Sequence, residues 1–221
     1  MIVPNHSVVS IAKDDIPTIG GFLQDSKLQL AINRFLIRDW PNFSFQEAHY
    51  TSVIERSLSN PQITCLKVVN DVSKQPVAHL FYTRKASRAV EQDQPPAEGK
   101  GGEESNKVPV GFVPKVYQTV MDFAKELQPD FDTEEFIELT HLYVEPSSRG
   151  QGIGSWLLGI AHEAAAAEKL PLTLCSEPIN HDFFASRGLR DVKTVDVDLR
   201  KWSTPLSGYG IFRMSRMVPE E

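Results

Sequence analysis

Within "YVEPSSRGQGIGSWLLGIAHEAAAAE", Tyr143 to Glu168, one arginine is followed by glycines at alternate positions: Arg149, Gly150, Gly152 and Gly154. Glycine weakens any regular element, so such a cluster marks backbone that must turn sharply or be approached closely. An apolar run ends just before it at Pro146, and apolar residues at helical spacing follow it. The glycines therefore fall around a helix N-terminus, where unbonded N–H groups and the positive end of the helix dipole attract an anion. Arg149 adds a forked donor suited to phosphate. With no side chains in the way, a diphosphate could settle on the amides.

Three phosphate-binding patterns compete. A P-loop closes on Lys-Ser/Thr, and "GQGIGSW" has no such pair. A dinucleotide fingerprint counted from Gly150 needs a third glycine where Ser155 stands, and no repeated β-α-β half is visible, which disfavours a nicotinamide dehydrogenase. The pattern Arg/Gln-x-x-Gly-x-Gly/Ala is met by Arg149, Gly152 and Gly154. With its flanks, "LYVEPSSRGQGIGSWLL" resembles the acetyl-CoA motif of the GNAT superfamily of N-acyltransferases: Leu142, Val144 and Pro146 match the strand before the loop, and Phe184, Gly188 and Leu189 match an aromatic-x-x-x-Gly-Phe pattern after the next strand. The resemblance spans Phe136 to Leu189, about a quarter of the chain.

The resemblance implies a strand that splays from its parallel neighbour, with pantetheine laid along Leu142 and Val144 and the diphosphate on Arg149, Gly150, Gln151, Gly152, Ile153, Gly154 and Ser155. It implies acetyl-CoA as cosubstrate, no metal, and direct attack by an amine. Asn180 stands where relatives place a cofactor-binding asparagine, although it could equally cap a short helix. Glu138, four residues before Leu142, matches the glutamate base of the histone-modifying branch. A carboxylate on an apolar strand is expected to have its pKa raised by burial, which suits a base; the plain alternative is a solvated edge residue. Thr140 shares its face by strand alternation and could position a water. His141 and Tyr143 point the other way unless a bulge intervenes.

Phe184 departs from the family, many of whose members carry there a tyrosine that protonates the leaving thiolate. A thiol with a pKa of about 8.5 leaves tolerably without help; otherwise Tyr209, Tyr143 or His181 must serve. The departure keeps a second reading open, a non-catalytic acyl-CoA-binding or sensing protein. Glu177 could hold a substrate ammonium, and Cys175 reads as core rather than nucleophile. The substrate surface implied by the family comprises "GGFLQDSKLQLAINRFLIRDW" and "RKWSTPLSGYG", with Trp40, Trp202 and Tyr209 as aromatic walls or ordinary anchors.

These residues need elements to hold them. "HSVVS" reads as a strand, followed by a helix start at Asp14 or Asp15 with Pro17 in its first turn. Leu28, Ile32, Phe35 and Leu36 keep helical spacing, and Gly20-Gly21 is expected to break that segment. Ser44 with Glu47 suggests a capping box. "QITCLKVVND" and "QPVAHLFYTRKA" form a hairpin. Ser87 to Lys107, rich in Pro, Gly and Glu, reads as a disordered insertion. Val116, Val120, Phe123 and Leu127 mark another helix. "FIELTHLYVEP" and "LPLTLCS" read as strands either side of a helix buried through Trp156, Leu157, Ile160 and Ala164; a short helix ending at Gly188 and two final strands follow.

The expected fold is α/β, one GNAT-like domain over residues 1–221: a mixed, mostly antiparallel sheet of six or seven strands with a splayed central pair and helices on both faces. Length and 41% hydrophobic content suit a core that needs no disulfide staples. A net charge of -6 disfavours nucleic acid as partner. No run is apolar and long enough to span a membrane, the first residues do not resemble a secretory signal, and two cysteines in no framework spacing suggest a reducing, cytoplasmic or nuclear setting. The expected partner is a small-molecule or peptide amine, met by a monomer or homodimer.

Overall fold

The computed structural model describes residues 3–86, 108–131 and 135–220. Among the described residues, seven strands form one sheet in the order β1-β2-β3-β4-β5-β7-β6. They are β1 (His6–Ser10), β2 (Ile63–Asn70), β3 (Pro76–Ala86), β4 (Glu135–Val144), β5 (Leu172–Ser176), β6 (Leu189–Asp198) and β7 (Ile211–Pro219). Only β4 and β5 run parallel; every other neighbouring pair is antiparallel. The expected mixed sheet and the hairpin of β2 and β3 are present. The insertion expected over Ser87 to Lys107 lies outside the described residues.

The helices are α1 (Ile16–Leu28), α2 (Asn33–Leu36), α3 (Phe43–Ser59), α4 (Pro114–Glu126), α5 (Ile153–Glu168) and α6 (His181–Ala185). Helix α5 covers one face, packing Ile153, Leu157, Leu158, Ala161 and Ala165 on Leu80, Ile137, Leu139 and Leu174. The opposite face carries two clusters. Ile19 and Leu23 of α1 meet Ile54 of α3 over Cys65 and Phe81. Val116, Phe123 and Leu127, in and just after α4, meet Val195, Val197 and Phe212.

Three local expectations shift. Helix α1 runs through Gly20-Gly21 and ends after Leu28. There Gly20 faces α3, and an added Cβ would make an ordinary 3.7 Å contact with the Thr51 backbone nitrogen, so the pair neither breaks the helix nor is demanded by the packing. The cap of α3 is Asn42, not Ser44: its side chain accepts from the Phe45 amide at 3.4 Å, and Ser44 is already inside the helix. The buried stripe of α5 is turned by about one position, with Trp156 and Ile160 on its margin and Leu158, Ala161 and Ala165 inside.

The capping correction predicts a contrast. Asn42→Ala should cost about 0.5–2 kcal/mol of stability, and Ser44→Ala no more than about 0.5 kcal/mol. Urea denaturation of the two variants reads this, and a larger loss for Ser44→Ala would restore the first assignment.

Candidate functional site

The β4–β5 ladder holds only the pairs Ile137–Leu172, Glu138–Thr173 and Leu139–Leu174. Beyond Leu139, strand β4 stays bonded to β3, but among the described residues no strand pairs its other edge. A bulge sits at the same place. Phe81 pairs with His141 and Tyr82 with Leu139, so Thr140 is the extra residue, and its hydroxyl donates to the Phe81 carbonyl at 3.2 Å. Such a bulge bends the strand and re-aims the side chains after it. Leu139 and Leu142 thereby point to one core, whereas His141 and Tyr143 join the face of Glu138.

The open edge leads into a cleft of about 440 Å³. Leu142 and Val144 form one wall, and Asn180, Phe183 and Phe184 the other. Arg149, Gly150, Gly152, Ile153, Gly154 and Ser155 close one end. Of the loop residues expected there, only Gln151 does not line it. The glycines have two separate causes. Gly150 and Gly152 have φ of 76° and 86°, a region hostile to side chains. Gly154 has an ordinary φ but lies under Phe183, whose ring would meet an added Cβ at 3.0 Å. Gly152 is the N-cap of α5, so the first amides of a helix of 16 residues open on the cleft.

Arg149 also shapes the loop. Its Nε donates to the Val144 carbonyl at 2.9 Å, and its guanidinium lies 5.8 Å from the Tyr143 ring centre. Across the mouth stands a cation that sequence reasoning passed over. Arg187 stacks 3.8 Å from the Phe183 centroid, and its Nε donates to Ser155 Oγ at 2.7 Å. It belongs to the same "FASRGL" run that suggested Phe184 and Gly188, so its charge was there to be read. The cleft thus has a helix start flanked by two guanidinium groups, an arrangement that favours a polyanion.

The proton-handling candidates divide. Phe184 is buried against the α5 core. Of the three alternative acids, Tyr143 lines the cleft, while Tyr209 packs edge-on to Phe35 at 4.8 Å and His181 bonds Asp191 at 3.0 Å. Burial raises the Tyr143 phenol above its ordinary value. Asn180 makes no side-chain cap bond, so its amide is not spent on α6. Trp202 joins Tyr209 around Phe35, bringing α2 and the β6–β7 connection together. Trp40 lines neither this cleft nor the second cavity described below. Glu177 already holds an ammonium, that of Lys27 at 2.5 Å.

Glu138 corrects the expectation made for it. It lies on the opposite face from α5, in a cavity of about 570 Å³ beside Cys175, Arg216 and α4. Burial does push its pKa up, but Lys85 and Arg216 outweigh burial, and the carboxyl is held below its ordinary range rather than above. Arg216 Nη1 donates to its Oε1 at 2.5 Å, and the Lys85 ammonium pairs with Oε2. Arg216 is itself buried and spends its Nε on the Leu127 carbonyl at 2.7 Å. Cys175 is pushed up to about 11 by burial, so it stays a thiol, in keeping with a core residue. Burial brings His79 and His141 down to about 3, leaving both imidazoles neutral at physiological pH.

The Glu138–Arg216 pair generates a stability prediction. Arg216→Met would leave the buried Glu138 carboxylate to the Lys85 ammonium and the Leu127 carbonyl without this donor, at a cost of about 1–3 kcal/mol, whereas Glu138→Leu with Arg216→Met should recover part of it. Because the folded pKa of Glu138 is depressed, its contribution is present above the unfolded value near 4.5 and fades as pH falls through the lower folded value. Wild-type stability should therefore drop on acidification more steeply than that of the double variant. Parallel curves would contradict the pair's assigned weight.

Known proteins extend this picture. Residues 115–188, about a third of the chain, match the family described as acetyltransferase (GNAT) domain. No curated protein matches the sequence. Among solved structures, arylalkylamine N-acetyltransferase 2 from Aedes aegypti aligns at TM-score 0.64 and 12% identity, over 97% of this chain and 98% of that one. The polyamine N-acetyltransferase of Drosophila melanogaster aligns at TM-score 0.58 and 14% identity, over 96% and 98%. The PaiA N-acetyltransferase of Thermoplasma acidophilum, in complex with coenzyme A, aligns at TM-score 0.51 and 14% identity, over 95% and 97%. At these identities the likeness is one of fold, and the family match covers the glycine loop and the strand before it. Residues 115–188 thus match the GNAT acetyltransferase domain, and the fold is shared with the N-acetyltransferases named above.

Proposed function

We propose that the protein moves an acetyl group from acetyl-CoA to a primary amine. The observation that carries this is the open β4 edge ending at a glycine-lined helix start. Backbone groups from Thr140 to Val144 suit an extended amide chain, and the α5 amides with Arg149 and Arg187 suit its diphosphate. Leu142, Val144, Asn180 and Phe184 line the cleft between them. The bound cosubstrate supplies a thioester carbonyl: the amine nitrogen bonds to its carbon, the carbon–sulfur bond breaks, and the nitrogen sheds a proton as thiolate leaves.

Glu138 fits this chemistry as a fixed negative charge beside the end of the β4–β5 ladder, favouring an arriving ammonium. A carboxylate held below its usual range is a weak base, and the neutral His79 and His141 do not titrate near physiological pH. Thr140, its hydroxyl bonded to the Phe81 carbonyl, shapes the bend and keeps acceptor capacity for a water. The free amine fraction should accordingly govern the rate. Binding without transfer is the second reading, favoured by Phe184 in place of a hydroxyl donor on the cleft wall.

Release of free thiol from acetyl-CoA across a panel of amines separates the two readings. Transfer predicts kcat/KM rising in proportion to the unprotonated amine, with the same pH dependence in Glu138→Gln and a higher KM. An inflection near neutrality that disappears in Glu138→Gln would instead make Glu138 the base. Tight acetyl-CoA binding with no amine turned over would favour binding alone.

The cofactor half has its own test. Gly152→Val places a β-branched residue at φ 86° where the diphosphate should rest. Acetyl-CoA affinity should fall at least tenfold, about 1.4 kcal/mol. Unchanged affinity in the folded variant would remove the loop from the cofactor site.

A further inference from the structure

The cavity beneath α4 is set apart from the cleft yet adjoins the same ladder end. Glu138 and Cys175 at its inner end are the immediate neighbours of Leu139 and Leu174, the last β4–β5 pair. Their side chains lie on the face opposite α5, so the cavity approaches the gap from the side the cleft leaves free. At about 570 Å³ it has the size of a small-molecule site. Val120, Met121, Leu127, Phe136 and Met214 make its walls apolar.

Its charges are unequal. Among the described residues Glu138 is the one acidic residue lining it, against Lys85, Lys125 and Arg216. Arg216 is consumed by the buried pair with Glu138 and by the Leu127 carbonyl. Lys85, whose side chain is 47% exposed, reaches in from the rim to the second Glu138 oxygen. A primary ammonium is therefore already accommodated at the inner end, and it is supplied by the protein's own chain.

We propose that this cavity is the acceptor site, and that it takes a primary amine with an apolar body and an anionic group at its far end. The assignment rests on the acetyl-transfer reading above. The incoming ammonium replaces that of Lys85 on Glu138, its body lies on the apolar walls, and the freed Lys85 joins Lys125 at the rim to meet the anion. A polyamine would set a second cation against those two lysines. Discrimination between acceptors then comes from repulsion as much as attraction.

The experiment compares three chains of one length, ε-aminocaproate, hexylamine and hexamethylenediamine, by calorimetric binding to the CoA-loaded protein. The aminocaproate should bind roughly tenfold or more tightly than the diamine, with hexylamine between them. Lys125→Glu should invert the order and leave CoA affinity unchanged. Ala124→Trp, at an exposed helical position on the cavity wall, should weaken all three. Equal or tighter diamine binding to wild type, an order that survives Lys125→Glu, or no binding of any amine while CoA binds would overturn the proposal. If CoA itself fails to bind, the cofactor reading falls, and the same three affinities on the free protein decide the cavity separately.

Discussion

The constraint on which the molecule turns is the early end of the β4–β5 ladder. A parallel pair in the middle of a sheet would ordinarily continue until a strand stops. Here three pairs form and β4 then runs on for five more residues, Thr140 to Val144, bonded to β3 alone on the described residues. Unpaired backbone beside a core is costly unless something else bonds it. Either solvent or an extended ligand must take that edge. The Thr140 bulge stabilises the departure, because it bends β4 while its hydroxyl secures the Phe81 carbonyl.

The divergence sets the other features. It opens the cleft that ends on the α5 amides, and it exposes Glu138 and Cys175 to a second cavity on the opposite face. The Glu138–Arg216 pair ties β4 to β7, and Arg216 also bonds the Leu127 carbonyl at the end of α4. One buried guanidinium thus joins three segments around the second cavity. Lys27 with Glu177 does comparable work between α1 and the end of β5. The Lys27 pair also withdraws a carboxylate, Glu177, that chain position alone would have offered to a substrate.

What could be read from the sequence depended on how local the cause was. The glycine loop, the strand before it and the helix after it were legible because Gly150, Gly152 and Pro146 act through their own torsions. The central strands were legible by their apolar runs. The cap at Asn42 was missed because Asn42 adopts a left-handed φ of 35° and so competes with the Ser44 signal. Gly20-Gly21 misled because α1 packs on α3 and runs on through both glycines, and the turn of the α5 stripe follows from the sheet it meets. The Glu138 pKa was read with the wrong sign, since Lys85 and Arg216 lie far from it in sequence. Arg187 was visible as a charge but not as a neighbour of Ser155. The alternation rule carried its own condition for His141 and Tyr143, and the bulge met that condition.

Backbone hydrogen exchange with and without acetyl-CoA tests the central claim most directly. If the open edge of β4 is where the cosubstrate completes the sheet, amides in residues 140–145 and 150–156 should slow together on binding, while those of β1 and β2 stay unchanged. Protection confined to other segments, or binding without any slowing along β4, would contradict it.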